Sequence, residues 1–225
     1  MPRVTAVEPQ TLRLRLGPNR RFNIFLDGEF AFGADEDLVV EWRLIPGKVL
    51  DTPDVERLLF EAEVGKLMER MYRLFNIRQR SEKEVKDYLR NLSFKRKVKG
   101  QEEISEAAIA LLINKLKQKG LLSDEQFAKA WVQSRRKTKN KGKIALKAEL
   151  YQKGINRDLI EEVLEEESTP ESEKQLAQQA LMKKMKTWKS LPLLKFKKKS
   201  YEFLLRRGFE YEVVREVIEN YLNKR

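Results

Sequence analysis

The feature that most limits how this chain can fold is an internal repeat of a helix, a glycine and a second helix. The pattern is clearest in residues 141–164, KGKIALKAELYQKGINRDLIEEVL, and it returns 54 residues later as KKSYEFLLRRGFEYEVVREVI. Gly154 and Gly208 occupy the same place in the two copies, each followed by an apolar residue. Such a glycine is typical of a left-handed helix end. Repeated units of this size cannot bury their apolar faces alone, so the sequence predicts a stacked helical array.

An earlier copy of the pattern carries extra residues. Val85, Leu89 and Phe94 lie 61 residues before their apolar counterparts in the second copy, whereas the following helix lies only 51 residues before its counterpart. The first copy therefore contains ten additional residues. Within them, residues 95–100 (KRKVKG) are interpreted as a basic loop. Ser93 stands in place of the glycine, so we expect a less regular turn there, with Phe94 as its apolar contact.

The N-terminal residues have the alternation of short strands. Apolar residues alternate with polar ones at residues 12–16 and 22–26, which is the period of a half-buried strand. Asp27-Gly28 separates two alternating runs and predicts a two-residue hairpin turn, because both residues of such a turn need positive φ. Three or four short strands are not stable alone, so this sheet is expected to rest on helices.

Together these patterns predict a mainly α protein. We expect three tandem three-helix repeats that form an elongated, curved array, preceded by a small N-terminal antiparallel β extension. The expected boundaries are residues 1–50 for the β extension, 51–78 for a bracketing helix, 79–140 for the first repeat, 141–189 for the second and 190–225 for a truncated third. A truncated last copy would serve as the cap that an array needs.

The charge of the chain is positive and unevenly distributed. The formal net charge is +12, from 47 Lys/Arg and 35 Asp/Glu. Residues 1–76 hold 11 of the basic and 13 of the acidic residues, which leaves 36 basic and 22 acidic residues for the rest of the chain. A positive excess in one part of a chain indicates a polyanionic partner, either nucleic acid or an acidic protein surface.

The residue types that are missing exclude several functions. The chain has no cysteine and no histidine, so it has no thiolate nucleophile, no imidazole base and no Cys/His zinc site. Acidic groups at residues 102–103, 124–125 and 165–167 fall in helix caps and connectors, a poor arrangement for metal ligands. We therefore expect no enzymatic activity, no cofactor and no metal. The lack of a long apolar run and of a secretory signal predicts a cytoplasmic protein without a membrane segment.

Several segments together resemble the RecX family, bacterial regulators of the RecA recombinase. They are SDEQFAKAWVQSR at residues 123–135, Lys-Gly at 141–142 and AELYQKGI at 148–155. RSEKEV at 80–85 and FLLRRGFEYEVV at 203–214 are similar to the first and last repeat motifs of the family, and residues 22–39 to an N-terminal extension of some members. The resemblance implies a protein that docks along the RecA–DNA filament and limits filament growth, strand exchange and co-protease activity.

Two basic stretches form the candidate binding surface. Residues 135–149 and 183–207 are rich in Lys/Arg and fall at similar points of successive repeats, so a curved array could align them. A run of charges is usually only a solvated face, but two runs of one sign favour contacts with phosphates or an acidic surface. The candidates, which include basic residues of the first repeat, are Arg80, Lys83, Lys86, Arg90, Arg135, Arg136, Lys139, Lys141, Lys143, Lys147, Lys195, Lys197, Lys198, Lys199, Arg206 and Arg207.

Contacts from these residues would position a nucleic acid without reading its sequence. No segment resembles a recognition helix with base-reading side chains. About six neutralised phosphates would give a log–log dependence of affinity on salt with a slope near −5. Trp131, Trp188 and Phe196 could stack on bases, but their helical spacing among apolar residues favours packing in the core.

The leading hypothesis is a monomeric, non-enzymatic regulator that binds RecA filaments and contacts DNA through its phosphates, without sequence specificity. The alternative is an architectural protein that binds single- or double-stranded nucleic acid and has no dedicated recombinase partner. A third interpretation, a carboxylate-dependent nuclease, would require cleavage of DNA in Mg²⁺ or Mn²⁺.

Overall fold

The structure is a computed structural model that describes residues 1–10, 20–188 and 190–223. Within these ranges the chain forms three strands followed by ten helices. The strands are β1 (Val4–Pro9), β2 (Arg21–Leu26) and β3 (Glu29–Asp35), and the helices are α1 (Glu36–Glu41), α2 (Thr52–Ile77), α3 (Glu82–Val98), α4 (Glu106–Gln118), α5 (Asp124–Lys139), α6 (Lys143–Gln152), α7 (Arg157–Glu167), α8 (Pro170–Trp188), α9 (Leu193–Arg206) and α10 (Tyr211–Leu222). The mainly α composition with an N-terminal sheet is as predicted.

The three strands form one antiparallel sheet in the order β1-β2-β3. Asp27 (φ 48°) and Gly28 (φ 90°) connect β2 to β3, so the predicted hairpin turn is confirmed. Ile24 and Phe32 of the sheet are buried in one core with Leu58 of α2. This helix supplies the support that a short sheet needs. The strand predicted at residues 12–16 lies outside the described residues.

The chain divides into two compact units. The N-terminal unit comprises Met1–Arg80 and Val85–Leu122, and the C-terminal unit comprises Ser81–Glu84 and Ser123–Arg225. The first turn of α3 therefore belongs to the C-terminal unit, whereas the rest of this helix belongs to the N-terminal unit. The elongated, curved shape expected for the array stays a prediction.

The long helices pack in three groups of three, each around its own core. α2, α3 and α4 share one core, α5, α6 and α7 a second, and α8, α9 and α10 a third. Leu89, Leu150 and Leu204, which correspond in the repeat, are fully buried. The three three-helix repeats are thus confirmed. However, each group begins one helix earlier than the boundaries expected at residues 79, 141 and 190, and the third group is complete. The spacing of a repeat defines its period but leaves open which helices share a core.

The additional residues of the first repeat lengthen α3. The helix continues through Ser93 to Val98, so the predicted turn at Ser93 and the predicted basic loop from residue 95 are wrong. Serine does not adopt the left-handed conformation as readily as glycine, and the helix does not stop there. Phe94 is 64% exposed, and buried Ile104, 51 residues before Ile155, takes the place expected for Phe94. The hydroxyl of Ser93 accepts from the N–H of Ile104 at 2.9 Å, which closes the longer loop onto the helix.

Ser93→Ala tests this closure. Removing the hydroxyl leaves the buried N–H of Ile104 without its partner, which is expected to lower the free energy of unfolding by about 1–2 kcal/mol. Ser134→Ala, at an exposed position of α5, is the control and should change it by less than about 0.5 kcal/mol. Urea unfolding followed by circular dichroism compares the two variants, and equal effects would contradict the role given to Ser93.

Candidate polyanion-binding surface

The second and third helix groups meet where one helix starts and another ends. The N–H of Gly142, which precedes α6, donates to the carbonyl of Arg207 at 2.9 Å, and the N–H of Ile144 donates to the carbonyl of Gly208 at 2.9 Å. The free N–H groups of one helix start thus meet the free carbonyls of another helix end. Gly208 has φ +85°, and a Cβ on it would lie 2.2 Å from the backbone nitrogen of Ala145. This close approach requires glycine.

The same kind of contact recurs one repeat earlier, within the C-terminal unit. Ser81 donates its hydroxyl to the carbonyl of Lys153 at 2.8 Å, and Lys83 donates its ammonium to the carbonyl of Gln152 at 3.0 Å. Ser81 lies 61 residues before Gly142, which is the offset of the repeat. Lys83, one of the predicted phosphate contacts, therefore binds a helix end of its own chain.

A buried ion pair joins α5 to α8. The guanidinium of Arg136 contacts the Glu173 carboxylate, the Ser168 hydroxyl and the Glu167 carbonyl. Arg136 is 9% exposed and Glu173 is 7% exposed. Burial raises the pKa of the Glu173 carboxyl, and the positive charge of Arg136 opposes this rise without cancelling it. Arg136 therefore lies in the interior, where a partner molecule does not reach it.

Glu149 neutralises two further predicted cations. Arg135 donates through Nε to Oε2 of Glu149 at 2.9 Å, and the ammonium of Lys141 lies 3.5 Å from Oε1. The indole N–H of Trp131 donates to the same carboxylate at 2.9 Å. The Arg135 guanidinium lies 4.1 Å and the Lys153 ammonium 4.9 Å from the centre of the Trp131 ring, a favourable cation–π arrangement. Arg135 and Lys141 are consequently half-buried and paired.

Lys147 on α6 pairs with Glu161 on α7. The hydrogen bond from Lys147 holds the pKa of the Glu161 carboxyl below its usual value. The two side chains are 36% and 35% exposed, and ion pairs this accessible to water contribute little to stability. Lys147 can therefore exchange its carboxylate for a phosphate at small cost.

The remaining predicted cations of the C-terminal unit are accessible. Lys143 and Arg207 are half-buried, and the exposed residues are Lys139, Lys195, Lys197, Lys198, Lys199 and Arg206. The four lysines of α9 have no carboxylate within ion-pair distance in the part of the chain that the structure describes. Their charges are thus available to a partner.

Contacts bring parts of the two basic stretches together. Lys183 on α8 donates to the side-chain oxygen of Asn140, at the end of α5, at 2.6 Å. The cations of Lys184 and Arg207 lie 5.9 and 4.8 Å from the centre of the same Phe203 ring. The end of α5 and the end of α9 therefore both lie beside α8. We give the name cationic surface to the following accessible cations of these helices and of the start of α6, wherever they lie on them: Lys139, Lys143, Lys183, Lys184, Lys195, Lys197, Lys198, Lys199, Arg206 and Arg207.

The candidates of the first repeat lie on or beside α3. Arg90 is exposed, whereas Arg80 and Lys86 are half-buried. The Nε of Arg80 is buried and has no hydrogen-bond partner among the described residues. Arg90 is therefore the most accessible of the three.

The sequence analysis did not identify the carboxylates that pair with the predicted cations. These carboxylates determine which cations remain free. Glu149 and Glu161 lie 14 residues from Arg135 and Lys147 in the chain, and Glu173 lies 37 residues from Arg136. No local pattern signals pairs at such separations, because helix neighbours are three or four residues apart.

The three candidate stacking aromatics pack inside the protein. Phe196 is 1% exposed in the core of the third group. Trp131 stacks on Phe127, and Trp188 meets Phe203 edge to face. The preference for core packing over base stacking is confirmed for Phe196, and the two tryptophans are half-buried beside their cores.

Two negative findings apply to the described residues alone. They contain no group of three or more acidic side chains placed to hold a metal ion. None of their helices is both long enough and apolar enough to cross a membrane.

The fold and the surface define a class of protein, a tandem array of three-helix domains that exposes cations not used in its own packing. Family models match the second and third groups and the N-terminal region: "RecX, second three-helix domain" matches residues 123–164, "RecX, third three-helix domain" matches 171–218, and "Regulatory protein RecX N-terminal domain" matches 17–51. The chain belongs to the RecX family.

Curated relatives support this membership, and solved structures share the fold. Regulatory protein RecX of Bacillus subtilis is 34% identical over 95% of this chain and 75% of its own length, and that of Bacillus velezensis is 32% identical over 97% and 77%. A crystal structure of regulatory protein RecX matches 97% of this chain and 100% of its own with a TM-score of 0.71 at 24% identity. RecX from Lactobacillus salivarius matches 70% and 95% with a TM-score of 0.59 at 25% identity.

Proposed function

We propose that this protein is a non-enzymatic regulator of RecA filaments and that its cationic surface contacts the phosphates of the filament DNA. Membership of a family whose curated members are named regulatory proteins supports regulation, and the motifs at residues 123–155 and 203–214 support RecA as the partner. The expected direction is inhibition, because a protein bound along the filament limits its growth. Strand exchange and co-protease activity depend on that growth.

The separation between paired and free cations carries this proposal. Arg135, Arg136 and Lys141 bind carboxylates of their own chain, whereas the four lysines of α9 are exposed. Four positive charges close together on one helix raise the local electrostatic potential. A bound phosphate backbone lowers this potential, and its own counterions are released on binding. Lysine ammonium groups act as point charges without the paired geometry that reads a base. Binding is therefore expected to be independent of sequence and steeply dependent on salt.

Neutralising the α9 lysines tests the proposal. We expect the quadruple variant Lys195→Gln, Lys197→Gln, Lys198→Gln and Lys199→Gln to bind RecA–single-strand filaments about tenfold or more weakly near physiological salt. The log–log salt slope should fall by about 3, because each lost contact with a single-strand phosphate removes about 0.7 from it. The protein is added to preformed filaments while ATP hydrolysis and filament length are followed.

The control variant removes the same formal charge from cations that carboxylates already neutralise. An ion pair with a glutamate is formed by each of Lys97, Lys129, Lys174 and Arg215. Changing all four to Gln should leave filament binding within about threefold, because their charges are already neutralised. The fold should be little affected, since exposed ion pairs contribute little to stability. Equal losses in both variants would contradict a role for the α9 surface. No effect of the unchanged protein on ATP hydrolysis or filament length at stoichiometric amounts would contradict regulation of RecA.

The same exposed lysines also suit the alternative, a nucleic-acid-binding protein without a recombinase partner. Salt-dependent binding to naked strands, with unchanged RecA activity, would favour it. Incubating DNA with the protein in Mg²⁺ or Mn²⁺ addresses the nuclease interpretation in the same experiment, and we expect the DNA to stay intact.

A further inference from the structure

We infer that the N-terminal unit carries a separate docking site, a groove that binds an extended peptide in which carboxylates alternate with apolar side chains. The groove has a volume of about 820 Å³ and lies between β3, α2 and the loop before α4. All of its lining residues belong to the N-terminal unit. The proposed function depends on the C-terminal unit, so the two proposals are independent of each other.

One wall of the groove exists because the first repeat is longer than the others. Arg96, at the extended end of α3, and residues 101–105 of the following loop line it, and the hydrogen bond between Ser93 and Ile104 holds this loop in place. Elsewhere in the lining, Phe30 of the edge strand β3 is 59% exposed and Leu59 of α2 is 44% exposed. Large apolar side chains left in water beside a groove are typical of a binding site.

Arg21 gives the groove an unsatisfied cation. It lines the groove and is 6% exposed. Its Nη2 donates to the carbonyl of Gly33 at 2.6 Å and its Nη1 lies 3.6 Å from the Glu69 carboxylate, whereas its Nε is buried without a partner. Buried donors of charged groups are rarely left without a partner. The buried Nε is not itself reached from the groove, but the positive charge of the guanidinium beside the groove attracts carboxylates.

Lys66 and Arg70 add to the positive charge. They lie four residues apart on α2, hence on one face, and both line the groove. Three of the glutamates around the groove already have partners in the same unit, since Glu63 binds Arg96 at 2.5 Å, Glu69 binds Arg21 and Glu103 binds Lys97 at 2.7 Å. The charges that remain for a ligand are mainly positive.

These features select an acidic peptide over a nucleic acid. A phosphate backbone carries a charge at every nucleotide, which exceeds the few cations left for a ligand, and it offers no aliphatic side chain to Phe30 and Leu59. A peptide can place single carboxylates on Lys66 and Arg70 and apolar side chains against Phe30 and Leu59. An extended chain also presents alternate side chains to opposite sides, so an alternating peptide can direct its carboxylates and its apolar side chains to different parts of the groove.

The test uses a fluorescein-labelled, N-acetylated peptide of alternating aspartate and leucine, titrated with the full chain and followed by anisotropy. We expect saturable binding, and about tenfold weaker binding when asparagine replaces every aspartate, because the charge-assisted contacts are lost. An excess of oligothymidine should not displace the peptide. Lys66→Gln with Arg70→Gln should weaken binding about tenfold, whereas the control Arg57→Gln with Arg73→Gln, on the same helix but outside the groove, should leave it within about twofold.

Several outcomes would overturn the inference. They are equal affinity for the aspartate and asparagine peptides, displacement by oligothymidine, unchanged binding by the Lys66 and Arg70 variant, and a lack of saturable binding of the aspartate peptide. Circular dichroism of each variant shows that it is folded. The groove variant should keep the unchanged salt slope for filament binding, so failure of this site and failure of the cationic surface give different results.

Discussion

Replacing Arg136 with methionine is expected to lower the free energy of unfolding by about 3–5 kcal/mol, because it leaves a buried charge without its partner. Glu173 is 7% exposed, and beyond Arg136 its carboxylate accepts from the backbone N–H of Lys143 at 3.2 Å. Burial already raises the pKa of this carboxyl, so losing the nearby positive charge makes its ionised form still less favourable. Methionine keeps much of the apolar length of arginine, so the loss reports on the charge.

The double variant Arg136→Met with Glu173→Met is expected to recover most of that loss. The raised pKa of Glu173 indicates that the cost of burying its charge exceeds the attraction of Arg136, and replacing such pairs with apolar residues is often neutral or stabilising. Urea unfolding of the single and double variants measures both effects. Lys147→Met removes half of an exposed ion pair and should cost less than about 1 kcal/mol. If Arg136→Met cost no more than this control, the buried pair would not hold α5 and α8 together.

Gly208→Ala is expected to lower the free energy of unfolding by about 3 kcal/mol, from two sources. The residue has φ +85°, and the left-handed conformation costs about 1–2 kcal/mol for residues with a Cβ. That Cβ would also lie 2.2 Å from the nitrogen and 2.4 Å from the Cβ of Ala145, and forcing such a contact apart typically costs about 1–3 kcal/mol. The backbone of α6 would have to move away from the end of α9.

Gly120→Ala separates the two sources. Gly120 also has positive φ (67°), but nothing lies within 4 Å of the position of its Cβ, so only the conformational cost of about 1–2 kcal/mol is expected. Gly154→Ala should also cost more than Gly120→Ala, because its Cβ would lie 2.6 Å from the Cβ of Lys83, an atom fixed to the backbone of α3. Urea unfolding ranks the three variants. Equal costs for Gly208→Ala and Gly120→Ala would contradict a close contact between the second and third groups.

Local patterns carry much of this fold. Gly154 and Gly208 have φ values of 80° and 85°, as their place after a helix predicts, because glycine adopts such angles most easily. The turn at Asp27 and Gly28 follows from the same requirement. Exposed cations on α9 follow from its apolar period, since Phe196, Ser200 and Leu204 take the buried face and leave the lysines between them to water.

The predictions that differ from the structure concern segments whose local sequence is compatible with two structures. Ser93 could end α3 or continue it, and the hydrogen bond from the N–H of Ile104 to its hydroxyl, across eleven residues, belongs to the continued helix. The sequence also left undecided which three helices form a group, because any three successive helices of the array recur with the same spacing. Which three share a core depends on the side chains of α2 and α8 that meet their neighbours.

By itself the sequence determined the helices, their period, the glycine ends and the excess of positive charge. Only the tertiary structure decided which helices share a core and which cations are free. Arg136, in the first of the two basic stretches, is buried against Glu173, while Lys195 and its neighbours on α9 remain in water. The physical reason is that pairing and burial depend on residues 14 to 37 positions apart in the chain, which become neighbours only after the helices have packed.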